Sequence, residues 1–315
     1  MTDFRATTRR GLAALLAGDP GVLAPEAVFE MMAPVDRVDG TEAIMADVVA
    51  PLRAALSGLH PRDEIVIGGD STRAPGGRWV ATLGHYVGRH VAPLWGVAPS
   101  DRLAFLRAGA FHQIDAAGRI TRAHVILDLP DLMRQAGRDP FPEGLGSEML
   151  FPGPATHDGI CPDPAGGADS LRLVERMLGD LHVFDPATAA SPGQIGPDGT
   201  WAEDFLWYGP GGIGSTFRWD GFVDHHRAAF LAAFPDRRGG NHYCRIGDGP
   251  YAAVSGWPSM TMTHRGPYLG AAPSGRALTL RVMDFYRCAR GRIAENWVLL
   301  DYVDLWRQMG QDILR

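Results

Sequence analysis

An α+β fold, present twice in tandem, is the architecture this sequence predicts. Three observations predict it. The stretch from Arg107 to Gly137, RAGAFHQIDAAGRITRAHVILDLPDLMRQAG, recurs as RVMDFYRCARGRIAENWVLLDYVDLWRQMG from Arg281 to Gly310. Arg107 aligns with Arg281, Asp128 with Asp301, Asp131 with Asp304, Gln135 with Gln308 and Gly137 with Gly310, and the offset between copies changes by one residue across the tight turn. Within each copy helical spacing comes first and alternating, turn-punctuated segments follow, the order of an α+β domain with a curved antiparallel sheet. Finally, a chain of 315 residues is long for one core and comfortable for two domains of roughly 130–150 residues each.

In the first copy, residues 7–16 have helical spacing (Leu12, Leu15, Leu16) and stop at Gly18-Asp19-Pro20. Residues 24–32 read as a short helix or a first strand, with Phe29 and Met31 inward. Asp39-Gly40-Thr41-Glu42 opens a helix capped by Thr41 or Asp39, which runs through Leu56 with a kink or break at Pro51. Strands follow at 63–69, 79–87, 103–114 and 120–127, with a Pro/Gly loop (HVAPLWGVAPSD) between the second and third, and a short helix at 129–135 closes the domain. The segment 138–168 is dense in Pro and Gly and aperiodic. It divides the chain into a first domain (1–140), a linker (141–168) and a second domain (169–315). The second copy keeps the order: helix 170–181, loop 189–199, apolar segment 205–208, helix 220–234, strands 241–247 and 252–264, the loop HRGPYLGAAPSGR, and the terminal hairpin and helix.

Composition narrows the chemistry. All 30 basic residues are Arg, which removes Schiff-base, pyridoxal-phosphate and Walker-lysine chemistry. A net charge of −6 speaks against nucleic acid as a partner. No run of about 18 apolar residues predicts a membrane span. The N-terminus reads as an amphipathic helix rather than a signal peptide. Three scattered cysteines, Cys161, Cys244 and Cys288, predict a reduced, cytoplasmic chain. His225-His226 sits in a helix, where neighbours point about 100° apart, so no metal pair is expected. Gly209 to Gly214 is rich in glycine but has no Lys, and reads as a turn.

Alternation sorts the candidate site residues. Ile293, Glu295, Trp297, Leu299 and Asp301 share one strand face; Ile120, Arg122, His124, Ile126 and Asp128 share its equivalent. His124 lies about 13 Å along the strand from Asp128, suited to lining one pocket. His112 lies on the partner strand, and His85, Tyr86 and His90 precede the loop holding Trp95. The comparable set in the second domain is His264, Tyr268, Arg281, Asp284, Trp297 and Asp301, with Arg281 and Asp284 not on the same face, and Trp257 adds aromatic surface. The aromatic residues, Trp201, Trp207 and Trp219 among them, suit a flat apolar ligand or an ordinary core. Asp128 and Asp301 each stand where a helix N-cap is needed.

The motifs Pro273-Ser274-Gly275-Arg276 before a strand, R-x-x-D-F-Y-R from Arg281, G-R-I-x-E-x-W from Gly291 and D-x-x-x-L-x-x-Q-x-G from Asp301 resemble those of the SnoaL-like polyketide cyclases. The resemblance is carried fully by the second copy and mostly by the first. It implies the nuclear-transport-factor-like fold, two tandem cone-shaped α+β barrels, each with an apolar pocket at the mouth. Relatives of that fold include aldol cyclases, ketosteroid isomerases, dehydratases and pure binding modules, so fold alone does not settle activity. The resemblance maps the cyclases' acid/base Asp onto Asp301 and, by the repeat, Asp128; His124, on the strand face of Asp128 but too far for direct contact, joins them as a catalytic candidate. His112, Tyr86, Trp95, Trp257, His264, Tyr268, Arg281, Asp284 and Trp297 would contact substrate. The expected function is cofactor-independent acid/base chemistry (cyclase, isomerase or dehydratase) on a small apolar carbonyl compound, with no cofactor and no metal. The alternative is a non-catalytic binding module forming an intramolecular pseudo-dimer. A homodimer of the whole chain is left open.

Overall fold

The computed structural model describes residues 3–142, 144–146, 149–185 and 188–315. The chain opens with helix α1 (Phe4–Ala17), capped by Asp3, whose carboxylate accepts from the Arg5 N–H at 2.9 Å, and ended by Gly18 in the left-handed region. Strands β1 (Leu23–Met31) and β2 (Arg37–Asp39) follow. A continuous helical stretch comes next: α2 (Thr41–Ile44), a π turn (Met45–Val49) and α3 (Ala50–Ala55). Strands β3 (Leu56–Asp70), β4 (Arg78–His90), β5 (Leu103–Ile114) and β6 (Ile120–Leu127) then form a meander closed by α4 (Leu129–Gln135).

The second half repeats this order with α5 (Gly167–Leu181), β7 (Trp201–Tyr208), β8 (Ser215–Phe217), α6 (Arg218–Phe222), a π turn (Val223–Arg227) and α7 (Ala228–Ala233). It ends with β9 (Cys244–Asp248), β10 (Tyr251–Thr263), β11 (Ala277–Ala289), β12 (Arg292–Leu300) and α8 (Tyr302–Met309).

Two six-stranded sheets result, with the same strand order: β2-β1-β6-β5-β4-β3 and β8-β7-β12-β11-β10-β9. Each curves around its helices as a cone. Each is antiparallel except for one parallel pair, β1 with β6 and β7 with β12. Residues 24–32, open between helix and strand in the sequence, form β1 because Ala27, Phe29 and Met31 alternate inward. Strands β2 and β8 are too short to leave a pattern. The helix expected at Asp39–Glu42 starts at Thr41 but has Gly40 at its N-cap and no side-chain cap; the Thr41 hydroxyl instead donates to the Ala24 carbonyl at 2.9 Å. The break expected at Pro51 is a π turn just before it. The second copy has the same π turn without a proline, so the fold imposes it rather than Pro51.

The two sheets pack face to face. Phe111 of β5 and Phe285 of β11 meet with ring centroids 5.5 Å apart, and Gly109 sits under Leu299 of the other sheet, where a Cβ would come within 2.3 Å of Leu299 Cδ1. Gly109→Ala is therefore expected to cost ~1–3 kcal/mol by overpacking, read as a lower denaturation midpoint. At one end of the seam β3 meets β9. There the fully buried Asp248 accepts from the Gly68 N–H at 2.7 Å and from Arg5 at 2.8 Å.

Candidate active site

Strand β11 turns Leu280, Val282, Asp284 and Tyr286 toward the helices, and β12 turns Asn296, Val298 and Leu300 the same way. Register sets Asp284 opposite Val298 and Tyr286 opposite Asn296. These side chains, with Trp201, Trp207, Phe222 and Phe230, enclose a cavity of about 100 Å³ in the second cone. Asp284 is the one carboxylate on its wall among the described residues. It keeps part of its surface open to the cavity, but the surrounding apolar wall desolvates it. Burial pushes its carboxyl up to about 7, against the pull of the Tyr286 hydroxyl and the Asn296 amide. Tyr286 is itself raised well above its usual value, by burial and then by the charge on Asp284, so it stays a proton donor.

The helical side and mouth of the cavity are nitrogen-rich. The π turn swings His226 into the wall, stacked on Trp207 at 4.5 Å with an interplanar angle of 15°. Its Nδ1 meets no partner, and burial, then Arg227 and Arg237, lower its pKa to about 3. The imidazole is thus neutral. His182, Arg237, Gly240 and His242 border the opening. His242 Nδ1 accepts from Arg245 Nε at 3.1 Å, and burial, then Arg245, Arg73 and His182, bring its pKa down to about 3.

The first cone shows what the same strands look like without this chemistry. Ala110 lies opposite Val125 and His112 opposite Ala123, the positions of Asp284, Val298, Tyr286 and Asn296. Its cavity is only about 30 Å³ and is lined by Leu12, Leu15, Leu16, Phe29, Tyr86 and His112 among others. The His112 ring nitrogen contacts the Val80 carbonyl at 3.3 Å, and burial lowers its pKa to about 4.

Several sequence-predicted residues lie elsewhere. Asp128 and Asp301, expected as proton carriers, border neither cavity. Each caps its closing helix, Asp128 Oδ1 accepting from the Asp131 N–H at 3.1 Å and Asp301 Oδ1 from the Asp304 N–H at 3.0 Å. The other oxygen of each reaches into the seam and accepts from a loop of the opposite copy. Asp128 Oδ2 takes the Gly211 N–H at 2.8 Å and Asp301 Oδ2 the Ala33 N–H at 3.1 Å. Arg107 and Arg281 complete the exchange, donating to the carbonyls of Gly209 and Met31 at 3.2 Å each, and pairing with Asp128 at 3.3 Å and Asp301 at 3.0 Å. Gly209 to Gly214 is the turn expected, and its backbone serves this contact. Burial raises the pKa of both aspartates, Asp301 to about 7, against the pull of these donors.

His124, the third expected catalytic residue, stacks on Tyr243 at 3.9 Å beside Trp257 in the seam. Trp297 lies there too, its Nε1 donating to the Pro152 carbonyl at 2.7 Å, and Arg281 covers the Trp257 ring at 4.9 Å. Tyr268 shares a 2.6 Å hydrogen bond with Tyr302 in the core, His264 contacts the Ser274 hydroxyl at 3.2 Å, and Trp95 packs in its loop with a left-handed φ of 43°. Of the expected set, Asp284 alone borders the second cavity, while Tyr86 and His112 border the first. Alternation could not say which face was the pocket, because β6 and β12 are buried on both sides. His226, Asn296, Tyr286 and Arg237 were missed as site residues. Polar residues at matched registers of adjacent strands, Tyr286 and Asn296 beside Asp284, were the available signal for two of them. Among the described residues no group of three His, Cys, Asp or Glu could hold a metal ion, and no helix is long and apolar enough to cross a membrane.

Residues 197–309 match the family model for SnoaL-like polyketide cyclase. No curated protein matches the chain in sequence. Among solved structures, AclR from Streptomyces galilaeus is 18% identical over 46% of this chain and 86% of its own, with a TM-score of 0.36. A SnoaL-like protein from Jannaschia sp. CCS1 is 18% identical over 41% of this chain and 89% of its own (TM-score 0.34). An NTF2-like protein from Burkholderia thailandensis E264 is 19% identical over 44% and 99% (TM-score 0.33). The matched residues span β7 to α8 of the second cone, which is thus similar to the SnoaL-like polyketide cyclases over that stretch, and the first cone repeats its strand order.

Proposed function

We propose that the second cone is the active site of a cofactor-independent acid/base enzyme acting on a small apolar carbonyl compound, with Asp284 as the proton carrier. The observation that supports it is a single carboxylate on an apolar, aromatic cavity wall with its pKa pushed up to about 7. Such a group takes a proton from a carbon flanked by carbonyls and returns one near neutral pH. Tyr286 flanks it as a donor to an enolate oxygen, and Asn296, whose amide donates to the Phe285 carbonyl at 3.0 Å, holds the wall beside it. Trp201 and Trp207 supply flat walls, and neutral His226 adds a ring nitrogen without charge. The first cone, with Ala110 and Ala123 at the matching positions, acts as a scaffold rather than a second site. A panel of cyclic β-dicarbonyl compounds and β,γ-unsaturated ketones tests the reading. Turnover should follow an ionisation near pH 7 in kcat/KM and vanish in Asp284→Asn. Turnover that survives this substitution would remove Asp284 from the chemistry.

A further inference from the structure

We infer that the second cavity takes a substrate carrying a carboxylate, held at the mouth by Arg237; this rests on the reading of that cavity as the active site. Among the described residues, several arginines that reach into buried parts meet a carboxylate. Arg5 reaches Asp248 at 2.8 Å, Arg107 Asp128 at 3.3 Å, Arg245 Glu175 at 3.1 Å and Arg281 Asp301 at 3.0 Å. Arg237 borders the cavity and meets none among the described residues. Its Nη2 donates to the Leu181 carbonyl at 3.4 Å, its guanidinium lies 5.3 Å from the centroid of the Phe184 ring, and its Nε has no partner.

Nearby Arg227 also lacks a carboxylate. Its Nε and Nη2 are occupied by the Ala189 carbonyl at 2.7 Å and the Ser191 hydroxyl at 2.6 Å, and it does not border the cavity. A desolvated guanidinium without a counter-charge is costly. Burial lowers the Arg237 pKa, but only to about 10, so it remains a cation at neutral pH. Its planar fork matches a carboxylate.

His182 borders the rim beside Arg237: a Cβ on Gly239 would lie 3.2 Å from His182 Nε2 and 3.8 Å from Arg237 Nη1, and one on Gly240, at φ +82°, would lie 2.5 Å from His182 Cε1, so the two glycines leave these side chains their room. Asp284, the cavity's one carboxylate among the described residues, is on the sheet wall. A ligand seated with its carboxylate on Arg237 would lay its apolar body against Trp201 and Trp207 and carry its carbonyl toward Asp284.

Titration of the full chain with benzoate and 2-naphthoate against benzamide and 2-naphthamide, followed by calorimetry and amide chemical shifts, decides this. The carboxylates should bind at least about 10-fold more tightly than the isosteric amides. Arg237→Gln should erase that preference, and Arg237→Lys should keep part of it. Equal or tighter binding of the amides, a preference that survives Arg237→Gln, or no binding of either class at 10 mM (a chosen upper concentration, about the weak limit of a specific site) would each overturn the proposal. If Arg237→Gln does not fold, the wild-type comparison and Arg237→Lys decide alone. Asp284→Asn should leave the carboxylate preference in place, so a failure of the acid/base reading is visible separately, as a missing ionisation near pH 7 and unchanged turnover.

Discussion

Asp284→Asn is expected to lower kcat/KM by about 10²–10⁴-fold, the contribution of a positioned acid/base group, while making the protein more stable above pH 7. Both effects have one cause. The folded protein holds the Asp284 proton up to about pH 7, whereas an unfolded Asp releases it near 3.9. Between those values the folded state binds more protons than the unfolded chain, so stability falls as pH rises through the window. A shift of about three units corresponds to ~4 kcal/mol at 1.36 kcal/mol per unit. Water at the cavity wall screens part of this, leaving ~2 kcal/mol. Asn carries no charge and escapes the penalty. Urea denaturation at pH 4 and pH 8 should show the variant equal to the parent at pH 4 and more stable by ~2 kcal/mol at pH 8. A variant less stable at pH 8 would mean that the carboxylate is not held at a cost.

The largest loss of stability is expected from Asp128→Ala. Arg107 is only 2% exposed, and removing Asp128 strips it of one of two carboxylates. The same change removes the acceptor for the Gly211 N–H and the cap of α4. Breaking a buried pair from one side costs ~3–5 kcal/mol. Asp131, 3.3 Å from Arg107 Nε, remains and holds the loss near ~3 kcal/mol. Asp301→Ala should cost less, ~2 kcal/mol, because the Arg281 side chain is 20% exposed and keeps Asp36 at 3.2 Å. Equilibrium unfolding of both variants measures the difference. Equal losses would show that the two clamps are interchangeable.

The repeat from Arg107 to Gly137 and from Arg281 to Gly310 was enough to expect two copies of one α+β cone. Strands β5 and β6 and helix α4 fall where alternation and turn residues place them. The cavity was harder to see. Alternation in β12 separates Glu295, Trp297 and Leu299 from Asn296, Val298 and Leu300, yet both sets are apolar enough to be buried, one against helices and the other against a second sheet. The partners of Asp128 and Asp301, the backbone N–H groups of Gly211 and Ala33, leave no mark in sequence because any residue but proline supplies that donor. His226 was read with α-helical spacing, and the extra residue of the π turn that aims it into the cavity has no signature of its own.

The reciprocal loops across the seam bear on how the two cavities came to differ. In a symmetric pair of identical chains a substitution alters both pockets at once, so a pocket cannot be emptied of its carboxylate without disabling its twin. With both copies on one chain, each position drifts independently. The seam contacts, Arg107 with Asp128 and Arg281 with Asp301, still obey a twofold rule, while Ala110 and Asp284 do not. The first lobe accordingly keeps only a small cavity of about 30 Å³, while the second carries a carboxylate whose ionisation its apolar surroundings oppose.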